Sequence, residues 1–152
     1  MHQYSRRRSR RRPRVKTVDT ISRVRRSENM RRIRSWHTKP ELIVRSLLHG
    51  LGYRFRLHRR DLPGKPDLVF PARQKVIFVH GCFWHQHRGC IDGRLPKSRT
   101  SYWVPKLLRN HRRDRSCRAK LVRSGWRSCV IWDCQTKDRD RLQKRLVRFL
   151  GN

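Results

Sequence analysis

Twelve consecutive residues, 79–90, concentrate the side chains of this sequence that are best suited to chemistry. The stretch reads VHGCFWHQHRGC and holds two cysteines, three histidines and two adjacent aromatic residues. Thiols and imidazoles bind metal ions, imidazoles also carry protons, and aromatic rings stack on bases. Packing alone does not explain so many of these groups in one short segment. We therefore interpret the stretch as a functional loop.

Metal binding is the first chemistry that this loop predicts. Cys82, His87 and Cys90 are closely spaced soft ligands, and Cys134, at the end of a later predicted strand, would complete a tetrahedral site. Zinc suits three thiolates and one imidazole, and a closed site of this kind is structural. The alternative that spacing leaves open is a group of buried thiols, which is what we expect for Cys129.

Phosphodiester hydrolysis is the second chemistry that the residues predict. Asp67 lies between a turn and a short strand, where burying a carboxylate is costly unless it is paired or binds a cation. The alternative is a turn aspartate that caps its own backbone. A carboxylate with magnesium polarises a phosphodiester, and a histidine such as His85 accepts a proton from water. Further candidates around this pair are Glu41, His80 and Asp114.

The charge of the chain indicates a polyanionic partner. Of 152 residues, 42 are Lys or Arg and 10 are Asp or Glu, which gives a formal net charge of +32. Nucleic acid is the first candidate for such a surface. We find no apolar stretch of membrane-spanning length and no signal peptide, so we expect a cytoplasmic, nucleoid-associated protein with no membrane partner. Five cysteines, an odd number, argue against a disulfide framework.

The elements predicted along the chain are those of an α/β domain. A capping box, Thr38 with Glu41 three residues later, predicts a helix that ends at Gly50 or Gly52. A buried strand at 75–79 precedes the functional loop, which therefore leaves the end of a sheet. The other predicted elements are strands at 53–57, 68–70 and 126–132, and helices at 103–124 and 138–150. This order predicts an α/β sandwich with a mixed central sheet flanked by helices.

The long helix predicted at 103–124 presents one polar group to the interior. Its apolar steps place Leu107, His111, Asp114 and Leu121 on the inner face. An inward aspartate beside several arginines is commonly a salt bridge, and the alternative is a role in a site at the sheet edge.

The N-terminal region is predicted to be separate from the domain. Residues 1–18 form a disordered, Arg-rich arm, because they cannot build a core, and the domain spans 19–152. The arm is either a solubilising tail or a nonspecific phosphate clamp, and a start codon placed too early is a third explanation. Residues 19–36 predict one or two short basic helices. From the residues alone, we expect Met30 in this segment to contact the domain.

Together these segments resemble the very short patch repair endonucleases, the Vsr family. The signature HGCFWH at 80–85 carries the resemblance, and the other matching segments run in the family's order from Ser27 to Cys134. These are SENMR at 27–31, LPGKPD at 62–67, VIF at 76–78, NHRRDR at 110–115, GWR at 125–127 and IWDC at 131–134. Members of the family nick DNA at T:G mismatches left by deamination of 5-methylcytosine.

The resemblance implies a restriction-endonuclease-like fold of the PD-(D/E)xK class, here with Pro66 and Asp67 but no following acidic-x-Lys motif. It implies a catalytic magnesium ion held by Asp67 and the main-chain carbonyl of Val79, with His85 acting on the attacking water. The residues that would hold the metal waters and the scissile phosphate are Glu41, His80 and Asp114.

The resemblance also implies the roles of the loop residues. Phe83, Trp84 and Met30 match residues that wedge into DNA beside the mismatch, which replaces the packing role expected for Met30. The loop between His87 and Cys90 is one residue longer than in some relatives. The residues that match the family's structural zinc site are Cys82, His87, Cys90 and Cys134.

The expected partners follow from the same resemblance. They are duplex DNA with a T:G mismatch, mismatch-repair proteins, and a cytosine methyltransferase as a functional link. A single active site in a monomer predicts a nick rather than a double-strand break. Two alternatives remain, namely a noncatalytic, zinc-stabilised nucleic-acid-binding protein and a nuclease of the same fold without mismatch specificity. The first alternative leaves the grouping of Asp67, His80, His85 and Asp114 unexplained.

Overall fold

A computed structural model describes residues 36–151 and, before them, the isolated positions Ser22, Arg25 and Glu28. The chain divides into two compact units, Met1–Arg32 and Ile33–Asn152. In the first unit Arg25 and Glu28 are helical, and the Arg25 amide donates to Ser22 Oγ at 3.2 Å. The arm predicted at 1–18 and Met30 lie outside the described residues, so what we expect of them stays a prediction.

The second unit is an α/β fold built on a four-stranded sheet. No helix in the described part of the chain is long and apolar enough to cross a membrane. The helices and strands of the second unit, in chain order, are α1 (Lys39–Gly50), β1 (Arg56–Leu57), β2 (Leu68–Phe70), β3 (Lys75–His80), α2 (Thr100–Arg123), β4 (Arg127–Trp132) and α3 (Arg139–Gly151). Short 3-10 helices lie at Pro71–Arg73, Ile91–Gly93 and Asp133–Lys137.

The sheet is mixed, as the sequence predicts. The strand order is β1-β2-β3-β4, with antiparallel pairing of β1 to β2 and of β2 to β3, and parallel pairing of β3 to β4. A tight 3-10 connection joins β2 to β3, which the antiparallel pairing permits. A parallel pair needs a crossover, and the functional loop with α2 supplies it.

Alternating side chains of the strands build a core on each face of the sheet. Leu68, Phe70 and Ile77 pack with leucines of α1 and α3 on one face. Val76 and Phe78 pack with Leu121 of α2 on the other face. Because side chains of a strand alternate between faces, three consecutive positions of β3 serve both cores. The sheet is therefore the middle of three layers, and α2 lies on the face toward which Phe78 points.

Two predicted strands differ from the observed ones. β1 contains two residues instead of 53–57. Tyr53 and Phe55 lie before the paired residues, and their rings pack edge-to-face against Phe70 at ring-centroid distances of 6.4 and 5.8 Å. β4 was expected to be buried, but as an edge strand it buries Ile131 and leaves its other residues partly or fully exposed.

The long helix α2 begins at Thr100, three residues before the predicted start, and its inner face differs from the prediction at one position. His111 is exposed, whereas Leu107 and Leu121 are buried and Asp114 is half-buried. A seven-residue step on an α-helix drifts by about 20°. The buried stripe therefore passes from Leu107 through Asp114 to Leu121, and His111 falls on the other side of it.

Replacing Leu146 by alanine tests the core between α3 and the sheet. Leu146 is fully buried in that core, so Leu146→Ala is expected to lower the free energy of unfolding by about 2–5 kcal/mol. Its neighbour Val147 is 40% exposed, so Val147→Ala should change stability by no more than about 0.5 kcal/mol. Urea unfolding of both variants is the measurement, and equal losses would contradict this packing.

Candidate active site and metal centre

A cleft of about 980 Å³ lies beside the end of β3. Four of the predicted catalytic residues, Asp67, His80, His85 and Asp114, line it together with Val79. The cleft also carries positive side chains, which are Arg60, Lys65, Arg113 and Arg118. These four positive side chains outnumber the two carboxylates of the cleft, and an excess of positive charge attracts anions, so this cleft is suited to a polyanionic chain.

Asp67 stands directly before β2 and is tied to the end of β3. Its Oδ2 accepts a hydrogen bond from the Val79 amide at 2.7 Å. Burial raises the pKa of Asp67 to about 6, although the Val79 hydrogen bond opposes the shift. A carboxylate held where its ionised form is costly is an arrangement typical of functional sites, and a cation would offset that cost.

His85 is oriented by a carboxylate that α2 supplies. Its Nδ1 lies 2.5 Å from Asp114 Oδ2, so Nε2 is the ring nitrogen left for other partners. Burial raises the pKa of Asp114, but the hydrogen bond from His85 and the electrostatic effect of His85, His80 and Arg113 outweigh it, and the net direction is downward. Asp114 is therefore an ion-pair partner, with Arg113, and also lines the cleft. The two alternatives that the sequence left open for this residue are both compatible with the structure.

His80 stacks on His85 at the end of β3. Their ring centroids lie 3.7 Å apart and the ring planes differ by 13°. Burial, followed by the neighbouring His85, lowers the pKa of His80 to about 3. His80 is therefore a neutral ring at ordinary pH, and it can accept or donate a hydrogen bond without adding charge to the site.

Glu41 reaches the site from the first turn of α1. It is 2% exposed, and its Oε2 accepts a hydrogen bond from the Thr38 amide at 3.3 Å, which is one half of the predicted capping box. Its Oε1 contacts the Arg45 guanidinium and lies 3.2 Å from His58 Nε2. Ligand atoms of Glu41, His58 and Asp67 all lie within 4.8 Å of one another. Glu41 therefore both caps its helix and adjoins the cleft carboxylate.

The four predicted zinc ligands converge at the other end of the functional loop. The thiols of Cys82, Cys90 and Cys134 and a ring nitrogen of His87 lie within 4.8 Å of one another. His87 Nδ1 is 3.7 Å from Cys82 Sγ and 3.3 Å from Cys134 Sγ. A tetrahedral zinc ion separates its sulfur and nitrogen ligands by about 3.6 Å. The donor set and its spacing therefore fit a tetrahedral metal ion.

Trp132, the last residue of β4, links the thiol cluster to the cleft. The His87 ring stacks on the Trp132 ring at a centroid distance of 4.3 Å, with planes 11° apart. The edge of Trp132 also meets His80 at 5.6 Å. The His87 and His80 rings therefore contact the same indole, which connects the thiol cluster to the cleft through one side chain.

Phe83 and Trp84 belong to an aromatic cluster at the start of α2. Their centroids lie 5.2 and 5.9 Å from that of Trp103, and the Trp84 carbonyl accepts a hydrogen bond from the side chain of Asn110 at 3.1 Å. Lys106 Nζ lies 5.2 Å from the Trp84 ring. Both Phe83 and Trp84 remain half-buried rather than enclosed, so the cluster presents aromatic surface beside a positive charge.

Sequence reasoning missed several residues of this region. Arg45 had a signal, because it stands four residues after Glu41 on one helix face. Trp103 was assigned to a helix without a role. No sequence signal pointed to His37 and His58, because only the fold brings them to Arg45. Each has a ring nitrogen 2.8 Å from a guanidinium nitrogen of Arg45. Burial lowers the pKa of His58, so its neutral form is favoured.

Comparison with known proteins identifies what kind of enzyme this arrangement belongs to. Residues 18–91 match the family described as DNA mismatch endonuclease Vsr. The chain is 54% identical over 133 residues to the type II nicking enzyme V.XorIIP of Xanthomonas oryzae, covering 88% of this chain and 97% of that protein. It is 40% identical over 125 residues to the DNA mismatch endonuclease Vsr of Escherichia coli, covering 82% and 80% of the two chains.

A third relative is the type II nicking enzyme V.NmeAIP of Neisseria meningitidis, 37% identical over 133 residues that cover 88% of this chain and 94% of that protein. With its α/β fold and a basic cleft holding carboxylates and histidines, the protein is therefore a DNA endonuclease. More specifically, the chain belongs to the Vsr family of DNA mismatch endonucleases. The resemblance read from the sequence is confirmed, and the noncatalytic alternative is set aside.

The raised pKa of Asp67 predicts a pH-dependent stability in metal-free buffer. Because the folded state holds this proton to about pH 6 and the unfolded state to about 3.8, the stability that Asp67 contributes is present below pH 3.8 and is lost as pH rises to 6. Asp67→Asn removes this loss and should make the protein more stable than wild type above pH 6, by up to about 3 kcal/mol. Denaturant unfolding in EDTA between pH 4 and 8 measures it. A constant difference between the two proteins would contradict the burial cost.

Proposed function

We propose that this protein nicks one strand of duplex DNA beside the thymine of a T:G mismatch that arises from deamination of 5-methylcytosine, and so starts very short patch repair. The observation that carries the proposal is the grouping of Asp67, His80, His85 and Asp114 in one basic cleft, in a chain of the Vsr family. The family's relatives are named as mismatch endonucleases and nicking enzymes, which favours a single-strand cut. Distorting the duplex at a T:G mismatch also costs less free energy than distorting it at a Watson–Crick pair.

Cleavage in this proposal depends on magnesium and one histidine. Asp67 and the main-chain carbonyl of Val79 would hold the magnesium ion, which would polarise the scissile phosphate when bound. His85, oriented through Nδ1 by Asp114, would take a proton from the attacking water at Nε2. The residues that would hold the metal waters and the phosphate oxygens are Glu41, His80 and Asp114. The nicked product would carry a 5′-phosphate.

The proposed fold class and the second metal follow the same family pattern. The mixed sheet with helices on both faces is compatible with a restriction-endonuclease-like fold. Zinc would be the ion of the thiol cluster, because three thiolates with one imidazole form a ligand set that zinc prefers. Its role would be structural, since four protein ligands leave no open position. The residues that would hold it are Cys82, His87, Cys90 and Cys134.

Recognition of the mismatch would rest on the aromatic cluster. Phe83 and Trp84, and Met30 from the first unit, would insert between base pairs beside the mismatch and unstack them. The half-buried state of Phe83 and Trp84 supports this role, because a wedge needs a supported base and an exposed edge. We further propose that the enzyme acts as a monomer, shares its cell with a cytosine methyltransferase, and contacts mismatch-repair proteins.

Matched duplexes test the proposed reaction. One carries T:G and the other C:G at a single cytosine-methylation site, and each strand is labelled in turn. With magnesium, the protein should nick only the strand with the mismatched thymine, and the product length gives the cut position. Equal cutting of both duplexes would leave a nuclease without mismatch specificity.

Two substitutions assign the chemistry within that assay. Asp67→Ala and His85→Ala should each lower the nicking rate by at least about 100-fold, because each removes a group that acts in the transition state. Binding to the T:G duplex, measured by gel shift, should remain within a few-fold of wild type. Rapid nicking by the double variant would rule out this site.

Replacing one thiol tests the metal centre separately. Cys90→Ser should lower the zinc content of the purified protein and its melting temperature, because a structural site contributes to folding. Cys117→Ser is the matched control, since Cys117 lies outside the thiol cluster. Elemental analysis and thermal unfolding give the two readouts. Unchanged metal content and melting in Cys90→Ser would remove the proposed zinc site.

A further inference from the structure

Arg45 of α1 stands at the centre of a polar group of which the proposed mechanism uses only Glu41. Its side chain is buried, and Nη2 contacts Glu41 Oε1. The same Nη2 lies 2.8 Å from His58 Nε2, and Nη1 lies 2.8 Å from His37 Nδ1. One guanidinium thus joins a carboxylate of α1, the residue before the α1 cap, and the loop that follows β1.

Contact with the guanidinium indicates which ring nitrogen of each histidine accepts a hydrogen bond. Arginine has five N–H donors and no acceptor, so we assign the acceptor role to the nitrogen of each imidazole that lies 2.8 Å from it. For His58 Nε2 this contact is shorter than its 3.2 Å separation from Glu41 Oε1. His37 therefore carries its proton on Nε2, and His58 carries its proton on Nδ1. In this assignment each ring keeps one N–H on the side away from Arg45. Both rings line the cleft that contains Asp67 and His85.

The backbone at both histidines supports a functional role. His37 has φ of 52° and His58 has φ of 46°, which is the left-handed region that residues with a Cβ seldom adopt. Such conformations persist where the surroundings fix them, and they gather at functional sites. Here Arg45 contacts both rings, so one side chain links the two left-handed residues.

The same contacts argue against a second cation at this position. Ligand atoms of Glu41, His58 and Asp67 lie close enough to surround an ion. However, Arg45 Nη2 already contacts both Glu41 Oε1 and His58 Nε2, so neither atom is free to face a metal ion. Arg45 supplies the positive charge there, and the histidines are left as neutral donors toward the cleft.

We propose that Arg45 is a positioning residue and that His37 and His58, which it orients, bind a phosphate of the DNA strand through their outer N–H groups. The inference rests on the proposed nuclease function of this cleft. Neutral donors suit a phosphate beside a metal site, because they hold its oxygens without adding charge that would repel the cation. Arg45 also contacts Glu41 and so holds it in place next to Asp67.

A double variant separates orientation from phosphate binding. His37→Asn puts an amide oxygen at the position of Nδ1, and His58→Gln puts one at the position of Nε2, so both variants can still accept a hydrogen bond from Arg45. Both substitutions remove the outer N–H of the imidazole ring. His37→Asn/His58→Gln should therefore fold normally and weaken binding to the T:G duplex in EDTA by about 10- to 30-fold, the size of two neutral hydrogen bonds. In nicking with magnesium, KM should rise more than kcat falls. The control is His49→Gln, because His49 is an exposed histidine of α1, the helix that carries Arg45.

The salt dependence of binding provides a second readout. Neutral donors neutralise no phosphate, so the slope of log affinity against log salt should equal that of wild type. A slope lower by about one for each histidine would mean charged contacts and would overturn the assignment. Binding and KM equal to those of His49→Gln would also overturn it. Either failure leaves nicking by the wild-type protein intact, which keeps it distinct from failure of the proposed function.

The role of Arg45 itself is tested by Arg45→Lys, which keeps the positive charge but removes the planar guanidinium with its two Nη groups. A single ammonium cannot reach His37, His58 and Glu41 together, so this variant should lower kcat and raise the magnesium concentration needed for half-maximal nicking by about tenfold or more. Circular dichroism establishes that the variant is folded. Wild-type kcat and magnesium dependence in folded Arg45→Lys would exclude the positioning role.

Discussion

The parallel pairing of β3 with β4 is the constraint on which the rest of the structure depends. It sets His80 opposite Trp132, so both strands end at the same edge of the sheet. The functional loop leaves β3 at this edge, and the turn with Cys134 leaves β4 there. Thiols that are far apart in the chain meet for this reason. The crossover that a parallel pair requires also returns α2 along the sheet, and this brings Asp114 to His85.

Stability and function oppose one another in this cleft. Asp67 is buried where its ionised form is costly, and two histidines adopt left-handed backbone. Each feature disfavours the folded state, and each is held by neighbours that belong to the rigid core or to α1. Glu41 shows how the cost is limited, because its buried charge has a guanidinium in direct contact. Local strain is kept where chemistry needs preorganised groups.

The sequence went far toward the fold because its local signals agreed with the tertiary arrangement. The capping box at Thr38 and Glu41, the continuous apolar run of β3 and the apolar face of α3 each specify one element, and all three were confirmed. The prediction failed where local pattern competes with packing. Tyr53 and Phe55 alternate as a strand would, but their rings pack on Phe70, and His111 follows a helical step that drifts off the buried stripe.

The sequence by itself determined the candidate residues, because the HGCFWH signature, the lone carboxylate of Asp67 and the cysteine spacing are local features that a reader can match to chemistry. It also determined that the partner is polyanionic, since net charge does not depend on the fold. Only the tertiary structure decided which groups touch, as His85 with Asp114 or Trp132 with His87. The Arg45 cluster was decided there too, because its two histidines lie on different segments. Their spacing along the chain carries no signal, and only packing of α1 against the cleft gives them a common partner.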